Sequence, residues 1–455
     1  MLVILAILAT GCASPPEPRD ATALDLGGDR PPVIILDIDT LRADHLGAYG
    51  YHRATSQHMD ALAAEGVRFE WAFSQAPNTP PSQTSILTSL YPSTHGMIED
   101  QDRVPQAATT LAEAFHAGGW KTAGFVDGGY MSAMFGHDQG FDIYDDSRGG
   151  GLAAIGPKVI DYVRAHADEP FFLLVHTYDT HSPYDAREGY GQFLEGLEPP
   201  TPGFVASSEY LEEIRKSVWT DEPKTLPPND MEWAKALYDG EIAFVDDWIG
   251  SFLAELETLG LDERAIVVLI SDHGEEFGEH GSVLHEKLYA TVTRIPLIFR
   301  LPPTYEDVLD VSPGQVVDDL VETIDVMPTL LDLVGLPIPA IAEGRSLLPL
   351  FRGGDRPPYR AISESPFFGT RRAIALGDRR LFWTVSTDEV ELYAFRDDPL
   401  EQVDLAEQEP DTAARLRNAL VNWQKTIDEI GGFDEAGGAL DPAIIEQLRA
   451  LGYIQ

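Results

Sequence analysis

The stretch PPVIILDIDT, residues 31–40, decides the fold of this chain. Its aliphatic residues run without a break from Val33 to Leu36, which is typical of a strand buried on both faces of a parallel sheet. The strand ends in Asp37 and Asp39, and ligands bind at the carboxyl ends of strands in open α/β sheets. We therefore expect an α/β domain whose functional groups lie at this edge of the sheet.

Helical and strand patterns alternate along the rest of the chain. The spacing predicts strands at 67–73, 121–126, 171–176, 265–271 and 295–300 and helices at 58–65, 111–117, 155–166, 231–259 and 321–334. This alternation predicts a large, mainly parallel sheet flanked by helices, within residues 31–351.

A second unit is expected after RGGDRPP, residues 352–358, whose composition is typical of a linker. Short strands at 380–385 and 390–393, followed by helices at 411–430 and 442–451, predict a small C-terminal α+β domain over residues 359–455. Because the two strands are close in sequence, an antiparallel sheet is expected there.

The 455 residues include 75 Asp and Glu but 32 Lys and Arg, which gives a formal net charge of −43. Nucleic-acid binding needs a basic surface, and no Lys/Arg cluster occurs in the sequence. We therefore expect no nucleic-acid partner. An anionic substrate needs a local cation to overcome this field.

The single cysteine, Cys12, follows a short apolar run in MLVILAILATGCAS. This start resembles a bacterial lipoprotein signal over residues 1–12, with a disordered tether over residues 13–30. We therefore expect an exported protein, periplasmic or on the cell surface, that is held on the membrane by a lipid on Cys12. A plain secretory signal and a mis-set start are the alternatives.

Two predicted strands end in side chains that bind metals. One ends at Asp37 and Asp39, and the other ends in Asp272-His273. Carboxylates with one imidazole suit Mn²⁺ or Zn²⁺, whereas an all-oxygen site suits Ca²⁺ or Mg²⁺. A divalent-metal site is therefore expected, with either Asp37 or Asp39 as a ligand.

A third feature is the proline-rich turn PNTPPSQTS, residues 77–85, which leads into a helix. A helix start offers free N–H groups to an anion, and a hydroxyl beside a metal can ionise and attack. The alternative is that Thr79 or Ser82 only caps the helix.

These stretches together resemble the sulfatase family of the alkaline phosphatase superfamily. The motifs that carry the resemblance are VIILDIDTLRADHLGAYGY, SQAPNTPPSQTSILTSLYPSTHG, FFLLVHTYDTHSPYD and VVLISDHGEEFGEHG. The resemblance covers nearly the whole chain after Pro31. It implies an alkaline-phosphatase-like fold and a metal-dependent hydrolase acting on ester bonds.

The departures from the family pattern bear on the chemistry. Thr79 stands where the family has the Cys or Ser that becomes formylglycine, and Thr cannot be converted because its Cβ carries a methyl group. Gln83 stands in place of the family's Arg, and His285 in place of its Lys. The chain is therefore similar to the branch of the superfamily that uses Thr as nucleophile, and no formylglycine is expected.

The resemblance implies a role for each matched residue. One divalent ion, with Ca²⁺, Mn²⁺ and Zn²⁺ left open, would be bound by Asp39, Thr79, Asp272 and His273. Thr79, His181 and His285 would be the catalytic residues. The attacked group would be held by backbone N–H groups near Ser82 and Gln83.

Three functions remain open from the sequence. The first is hydrolysis or transfer of phosphate esters through Thr79, and the second is sulfate-ester hydrolysis without formylglycine. The third is a lipoprotein with a decayed site that only binds glycans. The expected partner is an anionic ester of a small molecule, a glycan or a lipid headgroup.

Overall fold

The strand predicted from PPVIILDIDT lies in the middle of a large sheet in a computed structural model of the protein. The structure describes residues 30–98, 102–147, 149–218, 222–353 and 359–433. Cys12, the predicted signal and tether, and the helix predicted at 442–451 lie outside the described residues.

The strands are, in chain order, β1 Val33–Ile38, β2 Val67–Phe73, β3 Lys121–Val126, β4 Ile143–Asp145, β5 Phe171–Thr177, β6 Ile266–Ile270, β7 Glu276–Phe277, β8 Val283–Leu284, β9 Arg294–Arg300, β10 Gln315–Glu322, β11 Arg360–Ser365, β12 Arg371–Leu376, β13 Arg379–Thr384 and β14 Glu389–Tyr393. The α-helices are α1 Gln57–Glu65, α2 Thr79–Thr88, α3 Pro92–His95, α4 Leu111–Ala117, α5 Gly151–His166, α6 Ser208–Ser217, α7 Pro228–Thr258, α8 Ala290–Thr293, α9 Pro303–Leu309, α10 Val326–Leu333, α11 Leu348–Phe351, α12 Phe367–Thr370 and α13 Pro410–Ile430.

The large sheet has eight strands in the order β10-β2-β9-β6-β1-β5-β3-β4. β9 runs antiparallel to both of its neighbours, and every other adjacent pair is parallel. The predicted mainly parallel sheet is therefore confirmed. β1 lies between β5 and β6, so the carboxyl ends of these three strands meet at one edge of the sheet.

Both faces of the sheet are buried, as the uninterrupted aliphatic run of β1 requires. Val33 and Ile35 pack on one face with residues of α2, α4 and α10. Ile34 and Leu36 pack on the other face with residues of α1, α5 and α7. Because side chains alternate along a strand, Asp37 continues the first face and lies beneath α2.

The C-terminal sheet has four antiparallel strands in the order β11-β12-β13-β14, and α13 packs on it. The predicted antiparallel sheet is confirmed. The backbone N–H of Glu364 on β11 donates to the carbonyl of Gln75 at 2.8 Å, and the Ser363 hydroxyl donates to the Ser74 carbonyl at 2.6 Å. This sheet is therefore attached to the loop that leads into α2. The boundaries of the two units stay a prediction.

One predicted element is partly wrong. The helix expected over 321–334 begins only at Val326, because β10 extends to Glu322 and a 3-10 turn covers Thr323–Asp325. Strands β10, β11 and β12 were not predicted. Among the described residues, no helix is long and apolar enough to cross a membrane.

Candidate active site

Four acidic or imidazole side chains converge where β6, β1 and β5 end. They are Asp39 after β1, Asp272 after β6, and Asp37 and His176 within β1 and β5, and all four are fully buried. Asp37 and His176 are paired in the parallel register of β1 and β5. The site therefore forms at the sheet edge that the sequence predicts.

Three contacts fix the loops that carry Asp39 and Asp272. The backbone N–H of Leu41, after β1, donates to the hydroxyl of Ser271, after β6, at 3.0 Å. The buried guanidinium of Arg42 donates to the carbonyl of Glu275 at 3.0 Å and forms an ion pair with Glu279 at 2.8 Å. Asp39 and Asp272 are therefore presented from two loops that are bonded to each other.

Thr79 is the first residue of α2. Asn78 before it is extended, and Pro80 and Pro81 occupy the first turn, where a proline's missing N–H costs nothing. The Thr79 hydroxyl donates to Oδ2 of Asp39 at 3.0 Å and lies 3.4 Å from Nε2 of His273. The side chain of Thr79 thus reaches into the group of strand-end residues.

These residues have the spacing of a metal's ligands. Asp39 to Thr79, Thr79 to His273 and His273 to Asp272 are separated by 3.0, 3.4 and 3.5 Å. A cation about 2.0–2.2 Å from each donor separates neighbouring donors by roughly 2.8–3.1 Å in octahedral geometry and by roughly 3.3–3.6 Å in tetrahedral geometry. Each of these three separations is one that two donors around a single divalent cation can have.

The hydrogen bonding of His273 also suits a ligand. Its Nδ1 is 2.9 Å from the carbonyl of Gly274, which can only accept. The Nδ1–H therefore donates there, and Nε2 keeps its lone pair toward Thr79 and Asp272. Burial lowers the pKa of His273 to about 4, so the ring is neutral, as metal binding requires.

The pKa of each buried carboxylate depends on the charged groups around it. Burial opposes ionisation of Asp39, but His176, His273 and His181 outweigh it and hold the pKa of this carboxyl well below its usual range. Burial, with repulsion from Asp39 and Asp37, raises the pKa of Asp272. A bound cation would relieve that repulsion, which is a further reason to place a metal here.

His181 and His285 meet at the mouth of the site, where both are half-buried. Their Nε2 atoms are 3.1 Å apart, and Nδ1 of His181 donates to the carbonyl of Ser182 at 2.7 Å. The ring of His285 lies 4.4 Å from that of His273. Burial, together with His273 and His181, lowers the pKa of His285.

Ser82 and Gln83 are fully buried and make contacts within the protein. The backbone N–H and the hydroxyl of Ser82 both donate to the carbonyl of Asn78, at 3.2 and 2.8 Å. The side-chain amide of Gln83 donates to Oδ2 of Asp37 at 2.7 Å. A substrate would have to displace these partners, and the predicted substrate contacts of the two residues stay a prediction.

His176 is the residue that the sequence analysis missed. One ligand atom from each of Asp39, His176 and Asp272 lies within 4.8 Å of the other two. The signal was present, because His176 is the last residue of a predicted strand, just as Asp39 and Asp272 lie at strand ends. Only the strand order places it beside Asp37.

An open cleft of about 710 Å³ lies beside His285. Its cationic lining consists of Arg215, Lys216, Lys287 and Arg371, and its anionic lining consists of Glu286, Glu389 and Glu391. Cations thus outnumber acids here, in a chain whose acids outnumber its cations more than twofold. Arg215 and Arg371 form ion pairs with Glu286 and Glu391 of this lining, and Lys216 with Glu212, so these charges are already compensated.

Comparison with known proteins was made by sequence and by structure. The family model described as Sulfatase matches residues 31–336, and the one described as N-sulphoglucosamine sulphohydrolase, C-terminal, matches residues 278–426. An arylsulfatase from Clostridium perfringens is 26% identical over 441 residues, which cover 84% of this chain and 91% of that protein.

Two solved structures illustrate the shared fold. A phosphonate monoester hydrolase from Agrobacterium radiobacter superposes with a TM-score of 0.72 at 19% identity, over 88% of this chain and 96% of the other. A protein solved in complex with its substrate D-glucosamine-2-N,6-O-disulfate superposes with a TM-score of 0.71 at 20% identity, over 90% of this chain and 100% of the other.

Proposed function

Because this chain belongs to the sulfatase family, and is an ester hydrolase of the alkaline phosphatase superfamily, we propose that it cleaves phosphate esters with Thr79 as nucleophile. The observation that carries the proposal is the position of the Thr79 hydroxyl, 3.0 Å from Asp39 and 3.4 Å from His273. Asp39, Thr79, Asp272 and His273 would hold one divalent cation. When bound, this cation would lower the pKa of the Thr79 hydroxyl and offset charge on the attacked group.

The identity of residue 79 favours phosphorus over sulfur. Threonine cannot form the aldehyde hydrate with which sulfatases attack, because its Cβ carries a methyl group. An unmodified hydroxyl is a weak nucleophile unless it is activated, and sulfate monoesters are poor substrates for it. Thr79 is nevertheless positioned to lose its proton, since it already donates to the ionised carboxylate of Asp39.

The reaction follows from these contacts. Thr79 Oγ1 passes its proton toward Asp39 Oδ2 and bonds to phosphorus, and the bond from phosphorus to the leaving oxygen breaks. The His181–His285 pair can hold one proton between its Nε2 atoms and deliver it to that oxygen. Water then attacks phosphorus and gives one proton to the His181–His285 pair. The bond from phosphorus to Thr79 Oγ1 breaks, Thr79 Oγ1 takes its proton back from Asp39, and phosphate leaves.

The cleft beside His285 is proposed to hold the leaving group. Arg215 and Lys216 come from α6, and Lys287 lies two residues after His285, which follows β8. Three of the four lining cations are ion-paired with glutamates, so this polar lining suits a glycan or headgroup without selecting an anion by net charge. Transfer to a second alcohol instead of water would use the same residues.

A second candidate is sulfate-ester hydrolysis by Thr79 without formylglycine. The matches to the Sulfatase family model and to an arylsulfatase favour it. The disulfate complex belongs to a neighbour that shares the fold. Sulfate-ester hydrolysis by Thr79 would need the same nucleophile and cation, so only the substrate distinguishes the two candidate functions.

The test is a substrate screen after metal removal and reconstitution. Protein treated with a chelator is incubated with Ca²⁺, Mn²⁺ or Zn²⁺ and assayed on an aryl sulfate, an aryl phosphate monoester and a phosphodiester of one phenol. We expect turnover of a phosphate ester that exceeds turnover of the sulfate and depends on the added metal. Faster sulfate turnover supports the second candidate, and a metal-loaded protein inactive on all three contradicts both.

We also propose that the protein is exported and held on a bacterial membrane through lipidated Cys12. The support is the position of the sole cysteine directly after an apolar run that ends in Thr-Gly.

A further inference from the structure

Tyr178 lies beside the candidate site, directly after the end of β5. The backbone N–H of Asp39 donates to the carbonyl of Thr177 at 3.1 Å, so the chain enters Tyr178 next to a proposed metal ligand. The ring centroid of Tyr178 is 4.8 Å from that of His176 and 5.8 Å from that of His181. The side chain of Tyr178 therefore lies between a histidine of β5 and a histidine at the mouth of the site.

The Tyr178 hydroxyl receives a hydrogen bond but gives none. The backbone N–H of Tyr130 donates to it at 3.1 Å, and an N–H cannot accept in return. Within the described part of the chain, no group accepts the proton of this hydroxyl. Burial, with the charges of Asp39 and Asp272, raises the pKa of Tyr178 well above its usual range, so the hydroxyl keeps its proton at neutral pH. It therefore presents a hydrogen-bond donor that no described residue uses.

Two glycines allow the backbone to hold this hydroxyl. Gly128 and Gly129, which precede Tyr130, have φ angles of +71° and +58°, a region that residues with a side chain rarely adopt. A Cβ on Gly129 would lie 2.8 Å from Cε2 and 3.1 Å from Oη of Tyr178. Only glycine permits so close an approach. The hydroxyl is therefore fixed by the Tyr130 N–H before any substrate binds.

The reacting group of an ester needs donors of this kind. Negative charge builds on its non-bridging oxygens during attack, and fixed donors stabilise that charge. The family pattern has an Arg and a Lys at the positions of Gln83 and His285, and the amide of Gln83 donates to Asp37 instead. Tyr178 thus offers a donor in a site from which two charged donors of the family are missing.

We propose that the Tyr178 hydroxyl donates a hydrogen bond to a non-bridging oxygen of the reacting ester and holds that oxygen while Thr79 attacks. The inference rests on the proposed function. It applies to a phosphate ester and to a sulfate ester, because both carry non-bridging oxygens. The contact does not involve the leaving oxygen, which distinguishes the role of Tyr178 from that of the His181–His285 pair.

Binding of inorganic phosphate tests this contact without turnover. Wild-type and Tyr178→Phe proteins are reconstituted with the same metal, and each is titrated with inorganic phosphate in a calorimeter. A hydrogen bond to a charged oxygen changes a binding constant by roughly 10–100-fold, so we expect the dissociation constant to rise at least about tenfold in Tyr178→Phe. Elemental analysis should show equal metal content in both proteins, which excludes loss of the cation as the cause. Sulfate replaces phosphate as the probe if the ester screen favours sulfate hydrolysis.

Turnover gives a second readout that a purely structural role would not produce. Tyr178→Phe should lower kcat/KM by about 10–100-fold. The factor should be the same for a nitrophenyl ester and an alkyl ester, because both present the same non-bridging oxygens.

Tyr162 provides the matched control. Its hydroxyl also has no partner among the described residues, and its ring packs on Phe171. Phe171 is the first residue of β5, at the opposite end of the strand from Tyr178. Tyr162→Phe should leave phosphate affinity and kcat/KM unchanged. Circular dichroism checks that each variant is folded.

An unchanged dissociation constant for phosphate in Tyr178→Phe, at equal metal content, overturns the inference. A loss of turnover confined to the alkyl ester overturns it as well, because Tyr178 would then act on the leaving oxygen. In either case an enzyme that needs Thr79 for phosphate-ester turnover leaves the proposed function intact. Weaker phosphate binding by Tyr178→Phe supports the inference even where Thr79→Ala keeps its turnover, a result that contradicts only the proposed nucleophile.

Discussion

Gln83 donates a hydrogen bond from its side-chain amide to Asp37, 2.7 Å away, and both side chains are fully buried. The family that this chain resembles has an arginine in place of Gln83. An uncharged amide cannot neutralise Asp37, but it supplies the one hydrogen bond that the carboxylate makes among the described residues. The two residues therefore form a unit at the base of the site, beneath the first turn of α2.

Replacing Gln83 by Leu should destabilise the protein, because it leaves the buried Asp37 carboxylate without a donor. We expect the free energy of unfolding to fall by about 1–3 kcal/mol, measured by urea denaturation of chelator-treated protein. Adding Asp37→Leu to this variant should recover part of the loss, since replacing both partners by apolar groups can be nearly neutral. A double variant less stable than Gln83→Leu alone would contradict the pairing.

Replacing Thr79 by Ala should abolish turnover of whichever ester the screen identifies. The reason is that the attacking oxygen is removed, so a loss of at least roughly 1,000-fold in kcat is expected. Thr79→Ser keeps the hydroxyl and should retain part of the activity. Folding should survive in both variants, because a small hydroxyl at a helix start contributes only about 1 kcal/mol.

Thr84 is the matched control for Thr79. It lies in the same helix, is equally buried, and its hydroxyl donates to the Pro80 carbonyl at 2.8 Å rather than to Asp39. Thr84→Ala should keep kcat within a few-fold of the wild type. Wild-type turnover by Thr79→Ala would exclude Thr79 as the nucleophile for either ester.

Most of this candidate site could be predicted because residues that follow parallel strands lie at one edge of the sheet. Asp39 and Asp272 stand in recognisable motifs at predicted strand ends, and α2 starts where the proline pair indicates. His176 was missed because its position at the end of a predicted strand is a weak signal by itself, and its place beside Asp37 depends on β5 lying next to β1. Nothing local to FFLLVH distinguishes a ligand from a buried core histidine.

The fold was predicted where periodicity is strong and missed where it is weak. β10 reads QVVDDLVE, with an irregularity between Val317 and Leu320 that breaks its alternation. It lies at the edge of the sheet, so several of its side chains are exposed and no continuous apolar run appears. The sequence pattern therefore assigns the last residues of β10 to the apolar helix that follows, α10.

Replacing His181 by Gln should slow esters with poor leaving groups more than esters with good ones. The His181–His285 pair is proposed to protonate the leaving oxygen, and general acid catalysis contributes about 10²–10⁴-fold where that proton is needed. We expect kcat for an alkyl ester to fall by at least about 100-fold. For a nitrophenyl ester, whose leaving group needs no proton, kcat should fall far less.

His280 serves as the control for this comparison. Its ring stacks on Tyr289, and its Nε2 is 2.9 Å from the carbonyl of Leu400, away from Thr79. His280→Gln should change both esters by the same small factor. An equal loss on both esters in His181→Gln would show that His181 binds the substrate without protonating the leaving group.

Replacing Cys12 by Ser should release the protein from bacterial membranes into the soluble fraction of the cell envelope. The reason is that the lipid would be attached through the Cys12 thiol, and a stable anchor needs that chain. Fractionation of cells that express each form, followed by immunoblotting, measures the change. An unchanged membrane fraction in Cys12→Ser would contradict the lipid anchor.

The contribution of Glu276 to the free energy of unfolding should fall as the pH rises from about 4.5 to about 7. This side chain is 1% exposed, and neither of its oxygens has a hydrogen-bond partner among the described residues. Burial raises the pKa of Glu276 from 4.5 to about 7, although Lys287 opposes the shift. The folded protein therefore holds this proton over a pH range in which the unfolded chain has lost it.

The sign follows from proton linkage. Since the folded state binds the extra proton, stability from this group is complete below pH 4.5 and is lost as the pH rises to about 7. At 1.36 kcal/mol per pKa unit, the loss is roughly 3 kcal/mol. Glu276→Gln carries no such proton, so its free energy of unfolding should exceed that of the wild type by more at pH 8 than at pH 5. Glu257→Gln, at an exposed position near the end of α7, should show no such difference. If the free energies of unfolding of the wild type and Glu276→Gln change with pH in the same way, Glu276 is ionised in the folded protein.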